Sequence, residues 1–409
     1  MRVLHTSDWH LGRPLFGQKR YEEFSAFLDW LARTLQEKEV DVLVVPGDIF
    51  DSGTPSNRAQ RLYYDFLRQV YLSPCRHVVI TAGNHDSPSM LGASREILQV
   101  LDIHVVGNLP EDPADEVKVL RDAQGKVALI VCAVPFLRDT DMRLVEEGES
   151  SGDKESKMQE AIRRHYAQVL EEAAALRDRL APDVPLLCMG HLFTAGGQTV
   201  DGDGVRDLYV GSLAHVPASI FPPCIDYLAL GHLHVPQRVG GMEHMRYSGS
   251  PLPMGFGEAS QHKSVCLVDF SGRSARVELL PVPEFQKLER VSGSMSEILS
   301  RLAALRDSDS SAWLEVVYTG DDLEGSLRRQ VETAVAGSGL RVLKIRNARL
   351  PDSQPSLDDT GRNLEELGET EVFSRCLAAR KIEGAQADLL MRLYGEILTA
   401  MHETDSNAE

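Results

Sequence analysis

The sequence predicts an α/β protein that carries a smaller α+β unit and a helical C-terminal segment, and three observations lead there. Short β-branched runs alternate with amphipathic helical stretches from residue 1 to about 280. The 409 residues exceed what one hydrophobic core usually organises. After Pro281-Val282-Pro283 the alternation continues, but without the clustered His, Asp and Asn residues seen before it.

In order, Val3-Leu4-His5 opens a strand, Tyr21 to Lys38 reads as a helix, Val42 to Val45 as a buried strand, Asn57 to Tyr71 as a helix and His77 to Ile80 as a strand. Further strands are expected at Val127 to Val131, Leu186 to Met189 and Tyr227 to Leu230. Ser151 to Leu180, following the acidic Glu146 to Glu155 stretch, has Met158, Ile162, Tyr166, Leu170 and Ala173 at helical spacing and reads as scaffold. Leu288 to Arg349 then gives strand, helix (Met295 to Leu305), strand (Trp313 to Tyr318), helix (Leu323 to Val335) and strand (Arg341 to Ile345). Pro351 to Thr360, with two prolines and three aspartates, reads as a linker. Beyond it Ala385, Leu389, Leu393, Ile397 and Met401 recur every four residues, a stripe that suits either the chain's own surface or a partner's groove.

Composition narrows the class. Apolar residues make up 43% and charged residues 25%, which is ordinary for a globular chain. No apolar run reaches the roughly 18 residues of a membrane span, and no leader precedes the first strand, so a soluble cytoplasmic protein is expected. Six singly placed cysteines without a Cys-x-x-Cys pair read as reduced core residues. A formal charge of −18 disfavours a protein that grips nucleic acid unaided, because that grip comes largely from Lys and Arg. Bound divalent cations or a basic partner would relieve the conflict.

The chemistry sits where strands end. The predicted strands run into Asp8-Trp9-His10, Gly47-Asp48, Gly83-Asn84-His85-Asp86, Gly190-His191 and Gly231-His232-Leu233-His234, and in open α/β sheets ligands gather beyond the carboxyl ends of strands. One such histidine is usually structural, but five clusters at equivalent places are not explained that way. Carboxylate, imidazole and amide oxygen without thiolate suit manganese, iron or zinc. Seven candidate ligands, Asp8, His10, Asp48, Asn84, His191, His232 and His234, with one carboxylate able to bridge, suit two ions. His85 would face the substrate and could donate a proton to a leaving oxygen. Asp86 could orient that imidazole, or it could cap a turn before Ser87-Pro88. There is no Gly-x-x-x-x-Gly-Lys-Ser/Thr loop for ATP hydrolysis and no Gly-x-Ser-x-Gly elbow.

In order and in full, these clusters resemble the calcineurin-like metallophosphoesterase family. Longer runs, His5 to Gly12, Gly47 to Pro55, Phe221 to Gln237, and Tyr247 to Pro251 through Phe256-Gly257-Glu258, resemble the bacterial DNA nuclease subunits within it. The resemblance implies a β-sandwich flanked by helices over residues 1–280, a capping domain over 284–349, a linker at 350–360 and a helical partner-binding segment at 361–404. It implies a hydrolase of phosphodiester bonds, with single-strand endonuclease and ATP-regulated double-strand 3'-5' exonuclease activity on DNA hairpins and ends, in repair, recombination and replication. The implied cofactors are two divalent ions, manganese above others: one on Asp8, His10, Asp48 and His234, the other on Asp48, Asn84, His191 and His232. His85 is the implied catalytic histidine, while Asp51 stands where archaeal and eukaryotic relatives carry a second one. The implied partner is a coiled-coil ATPase, in a heterotetramer of two nuclease and two ATPase subunits acting on DNA. A different dinuclear phosphoesterase, acting on a small phosphodiester or a phosphoprotein, is the competing reading.

Overall fold

The computed structural model describes residues 1–142, 151–194, 197, 216–320, 327–348, 369–380, 382 and 384–403. The chain begins β1 (Arg2–His5), α1 (Tyr21–Glu37), β2 (Val42–Pro46), α2 (Asn57–Tyr71), β3 (His77–Thr81), α3 (Pro88–Gly92), α4 (Arg95–Gln99), β4 (Ile103–Val106), β5 (Val117–Arg121) and β6 (Val127–Ala133). It continues with α5 (Asp139–Met142), α6 (Ser151–Leu180), β7 (Leu186–His191), β8 (Tyr227–Gly231), β9 (Gln237–Val239), β10 (Met242–Tyr247), β11 (Ser264–Ser271) and β12 (Ser274–Pro281). Then come β13 (Leu288–Gly293), α7 (Met295–Asp307), β14 (Trp313–Tyr318), α8 (Leu327–Val335), β15 (Arg341–Asn347), α9 (Glu369–Ala379) and α10 (Ala385–Glu403).

Two six-stranded sheets, ordered β12-β11-β1-β2-β3-β4 and β5-β6-β7-β8-β10-β9, stack on one another. Their facing surfaces are Val3, Val42, Val44 and Val79 against Leu129, Val131, Leu187, Met189 and Ala229, all buried. Alternate residues on the first sheet, Leu4, Leu43, Val45, Val78 and Ile80, turn outward onto Phe24, Phe27 and Leu31 of α1 and Tyr63 and Phe66 of α2. On the second sheet Ile130, Cys132, Leu186, Cys188 and Leu228 meet Met158, Ile162, Tyr166 and Leu170 of α6. Each central strand is therefore covered on both faces, which is why the strands read as unbroken apolar runs. Every fully buried Leu, Val or Phe contributes roughly 1.5–3 kcal/mol by leaving water.

β1, β2, β3 and β4 run parallel, as do β6, β7 and β8. Their carboxyl ends thus open on one edge of each sheet. β11 and β12, which the sequence reading passed over, complete the first sheet antiparallel to β1. A separate three-stranded parallel sheet, β13-β14-β15, packs on α7 and α8 around Val291, Ile298, Leu302, Leu314, Val316 and Val331. Ser294 and Glu297 form a capping box at the start of α7. Leu288 and Trp313 of this unit pack on Leu15 and Phe256 of the first. The expected linker at 350–360, the start of the helix expected from Leu323 and residues 361–368 lie outside the described residues.

Cys75, Cys132, Cys188 and Cys266 are buried thiols, as expected; Cys224 is half-buried, and Cys376 is exposed on α9, where the core reading fails. No helix among the described residues is long and apolar enough to cross a membrane.

Candidate metal centre

Because β1, β2 and β3 are parallel neighbours, the loops that follow them emerge side by side, and those following β7 and β8 emerge opposite. The seven side chains singled out above come together there, with Asp48 at the centre. Its Oδ2 lies 3.6 Å from His10 Nε2 and 3.3 Å from His191 Nε2. Asn84 Oδ1 lies 3.0 Å from His191 Nε2 and 3.2 Å from His232 Nδ1. His10 Nε2 and His234 Nε2 are 3.1 Å apart. Asp8, His10 and His234 offer ligand atoms within 4.8 Å of one another, and so do Asp8, Asp48 and His191.

The backbone is bent to achieve this. Asp8 (φ 55°), His10 (48°), Asp48 (52°) and His232 (101°) all have positive φ, a conformation that costs a side-chain-bearing residue about 1–3 kcal/mol. Two glycines mark the closest approaches. A Cβ on Gly83 would lie 2.1 Å from Asp48 Oδ1, and one on Gly231 would lie 1.9 Å from the Pro46 carbonyl oxygen.

The outer ring nitrogens face acceptors. His191 Nδ1–H donates to the Pro46 carbonyl at 3.0 Å, His10 Nδ1 faces Asp51 Oδ1 at 3.4 Å, and His234 Nδ1 faces Glu258 Oε1 at 3.5 Å. Held this way, each ring turns its Nε2 lone pair inward.

Burial pushes the Asp8 carboxyl up to about 6. Burial opposes the Asp48 carboxylate too, but the imidazoles of His191, His85 and His10 outweigh it and hold that group well below the usual range. Burial lowers His191, yet the Asp48 and Asp8 carboxylates more than compensate and raise it to about 9. His232 is driven well below the ordinary histidine value by burial and by the charge on His191.

A calcineurin-like phosphoesterase family model matches residues 1–236, and the model of the type 5 capsule protein repressor C-terminal domain matches residues 284–381. The SbcD subunit of nuclease SbcCD from Escherichia coli (strain K12) is 37% identical over 397 residues, which cover 96% of this chain and 97% of that one. The chain belongs to the SbcD family of calcineurin-like phosphoesterases. Proteins of the same name from Rhodobacter capsulatus and Bacillus subtilis are 34% and 32% identical, over 87% and 77% of this chain and 89% and 78% of theirs. An SbcD-family chain is a hydrolase of phosphodiester bonds, and its phosphoesterase domain implies two divalent ions.

The donors present fit such ions. Buried imidazole, amide and carboxylate groups that converge at 3.0–3.6 Å need a cation or shared protons between them. All are oxygen or imidazole nitrogen, as hard and borderline divalent metals prefer.

His85 is bound to this group mainly through its backbone. Its main-chain N–H donates to Asp48 Oδ1 at 2.9 Å, and its Nδ1–H donates to the Asp51 carbonyl at 2.9 Å. The ring stands edge-on to His10 with centroids 4.7 Å apart and is only half-buried, unlike the other histidines of the site.

Asp86 does not orient the His85 imidazole. Its carboxylate accepts the main-chain N–H groups of Ile49 (3.2 Å), Phe50 (2.9 Å) and Gly83 (2.9 Å), pinning the loop after β2 to the loop after β3. The partner of His85 Nδ1 is the Asp51 carbonyl instead.

Sequence reasoning gave Glu258 and Lys263 no role. Glu258 backs His234, and Lys263 Nζ joins Glu258 Oε2, the His234 carbonyl at 3.0 Å and Ser250 Oγ at 3.1 Å in a buried network. Only the Phe256-Gly257-Glu258 run pointed that way, and it carried no local sign of function.

Proposed function

We propose that this chain is the manganese-dependent DNA nuclease subunit of an SbcCD-type complex. It acts as a single-strand endonuclease and a double-strand 3'-5' exonuclease on hairpins and ends in DNA repair, recombination and replication. The observation that carries the reading is the convergence of six buried or half-buried donors on Asp48 at the mouth between the two sheets. Asp8, His10, Asp48 and His234 would hold one ion, and Asp48, Asn84, His191 and His232 the other, with Asp48 shared. When bound, the ions supply positive charge to the phosphate and acidify the attacking water.

The chain's own groups do the rest. Pro46, Asp51 and Glu258 keep three imidazoles turned to their tasks. His85, held at Nδ1 by the Asp51 carbonyl, presents Nε2 to the leaving oxygen and protonates it. Residues 284–349 would cap the site and position DNA. Support comes from their packing on Leu15 and Phe256, in the loops that follow His10 and precede Glu258. An SbcC-type coiled-coil ATPase, bound by residues 361–404 in a heterotetramer of two copies of each subunit, would supply the grip on DNA that a chain of charge −18 lacks.

The test is cleavage of labelled hairpin and single-stranded DNA with manganese, with and without the ATPase and ATP. Manganese-dependent DNA cleavage is the expected result. Hydrolysis of cyclic nucleotides but never of DNA would overturn the reading in favour of a small-molecule phosphodiesterase.

A further inference from the structure

A second group of donors lies at the other end of β3. His77 is the first residue of that strand, seven positions before Asn84, so on the order of 20 Å of extended chain separates it from the centre described above. Beside it are Asp102, just ahead of β4, and His104 within β4, and one ligand atom from each of the three lies within 4.8 Å of the other two. The register explains the meeting. Val79 pairs with His104, and His77 shares the face of Val79, so both imidazoles enter the space between the sheets where β5 crosses.

One ring nitrogen of His77 has a hydrogen-bond partner and the other has none. Its Nε2 is 2.8 Å from the Arg121 carbonyl of β5. A carbonyl can only accept, so Nε2 carries a proton, and in the uncharged ring Nδ1 holds a lone pair. The side chain is 9% exposed, and Nδ1 has no hydrogen-bond partner. Asp102 Oδ1, 3.9 Å from it, is another acceptor. An unsatisfied buried acceptor costs about 1–3 kcal/mol, which a cation would recover. His104, paired with Val79 and half-buried, brings a second imidazole to the same place. Lys118, the competing cation, has its ammonium on the Asp115 carbonyl. A cavity of about 360 Å³ lined by Arg95, His104, Asp115 and Lys118 opens beside His104.

We propose that His77 Nδ1, His104 and Asp102 form a further divalent metal site, of zinc type, at the end of the sandwich away from the phosphoesterase centre. Two imidazoles and one carboxylate, with a fourth position left to water, are a zinc donor set, and the Arg121 carbonyl behind His77 is the outer partner that such ligands take. The ion would join β3 and β4 of one sheet and, through His77, β5 of the other.

The full-length protein, stripped by chelator and equilibrated with low-micromolar zinc, is assayed by elemental analysis. His104→Ala and Asp102→Asn, which spare the buried His77 ring, should each bind one zinc per chain fewer than the native protein. Their manganese-dependent phosphodiester hydrolysis should be unchanged. Zinc should also raise the unfolding temperature of the native protein more than that of His104→Ala. Equal zinc counts in native and variant chains would overturn the proposal, whatever the activity.

Discussion

His85 and Asp51 lie next to each other and do different things, and substitution should separate them. The main-chain N–H of His85 donates to Asp48 Oδ1, and its ring is not among the seven proposed ligands, so His85→Gln should keep both manganese ions and lose DNA cleavage by a factor of about 10²–10⁴, the usual worth of a positioned general acid. Elemental analysis showing a lost ion would sink that role. Asp51 acts through His10, with Oδ1 3.4 Å from Nδ1, while Arg13 holds the same oxygen at 3.3 Å. Asp51→Ala should weaken manganese binding by about tenfold to a hundredfold with the fold intact, as removal of a ligand's outer partner does; calorimetric titration would show it, and native affinity would refute it. At this scale most of the site was legible: seven donors stood at strand ends because a ligand must leave a strand where its direction can change. Glu258 was not legible, since it reaches His234 from a loop 24 positions further on and only the packing of that loop gives it a task.

At the scale of elements, β1 meets β8 of the opposite sheet through one buried imidazole. His5 Nε2–H donates to the Leu230 carbonyl at 3.2 Å, and Nδ1 accepts from the Tyr227 hydroxyl at 3.0 Å. Burial pushes its pKa from 6.5 down to about 3. The unfolded chain therefore takes the proton first, and the stability that His5 contributes is whole above about pH 6.5 and lost as pH falls toward 3. The slope is about 1.4 kcal/mol per pH unit. Urea unfolding of metal-free protein at pH 7 and pH 5 should show this loss in the native chain and less of it in His5→Gln; equal slopes would remove His5 from the account. The helices and buried strands were legible because each carries one unmistakable period: α2 and β14 fall on their expected bounds, Asn57–Tyr71 and Trp313–Tyr318. β5 and β12 were not, because each shows much of its length to solvent and its sequence alternates weakly. Nothing local announces that β11, more than 250 residues on, pairs with β1.

For the whole molecule, the two C-terminal helices stack on each other through Phe373 and Tyr394, with ring centroids 4.0 Å apart. They leave Leu389, Leu393 and Ile397 exposed at 52%, 45% and 56%. If this stripe is the docking surface for the ATPase, a chain ending at Pro355 should no longer co-purify with that partner yet still cleave single-stranded DNA with manganese. Retained co-purification would refute the assignment. The donors themselves are shared out by layer: Asp8, His10, Asp48 and Asn84 follow strands of one sheet, and His191, His232 and His234 come from the other. Under the proposed assignment no ion sits within a single layer, so each one is a rivet through both. Chelation should then loosen the mouth of the sandwich more than either sheet, with amide exchange quickening at Gly47, Gly83 and Gly231 and hardly changing in the middle of β2 or β7. The same two ions that cut the substrate would set how firmly the two halves of the fold are fastened, and a chain that lost its metal would lose its shape at the seam first.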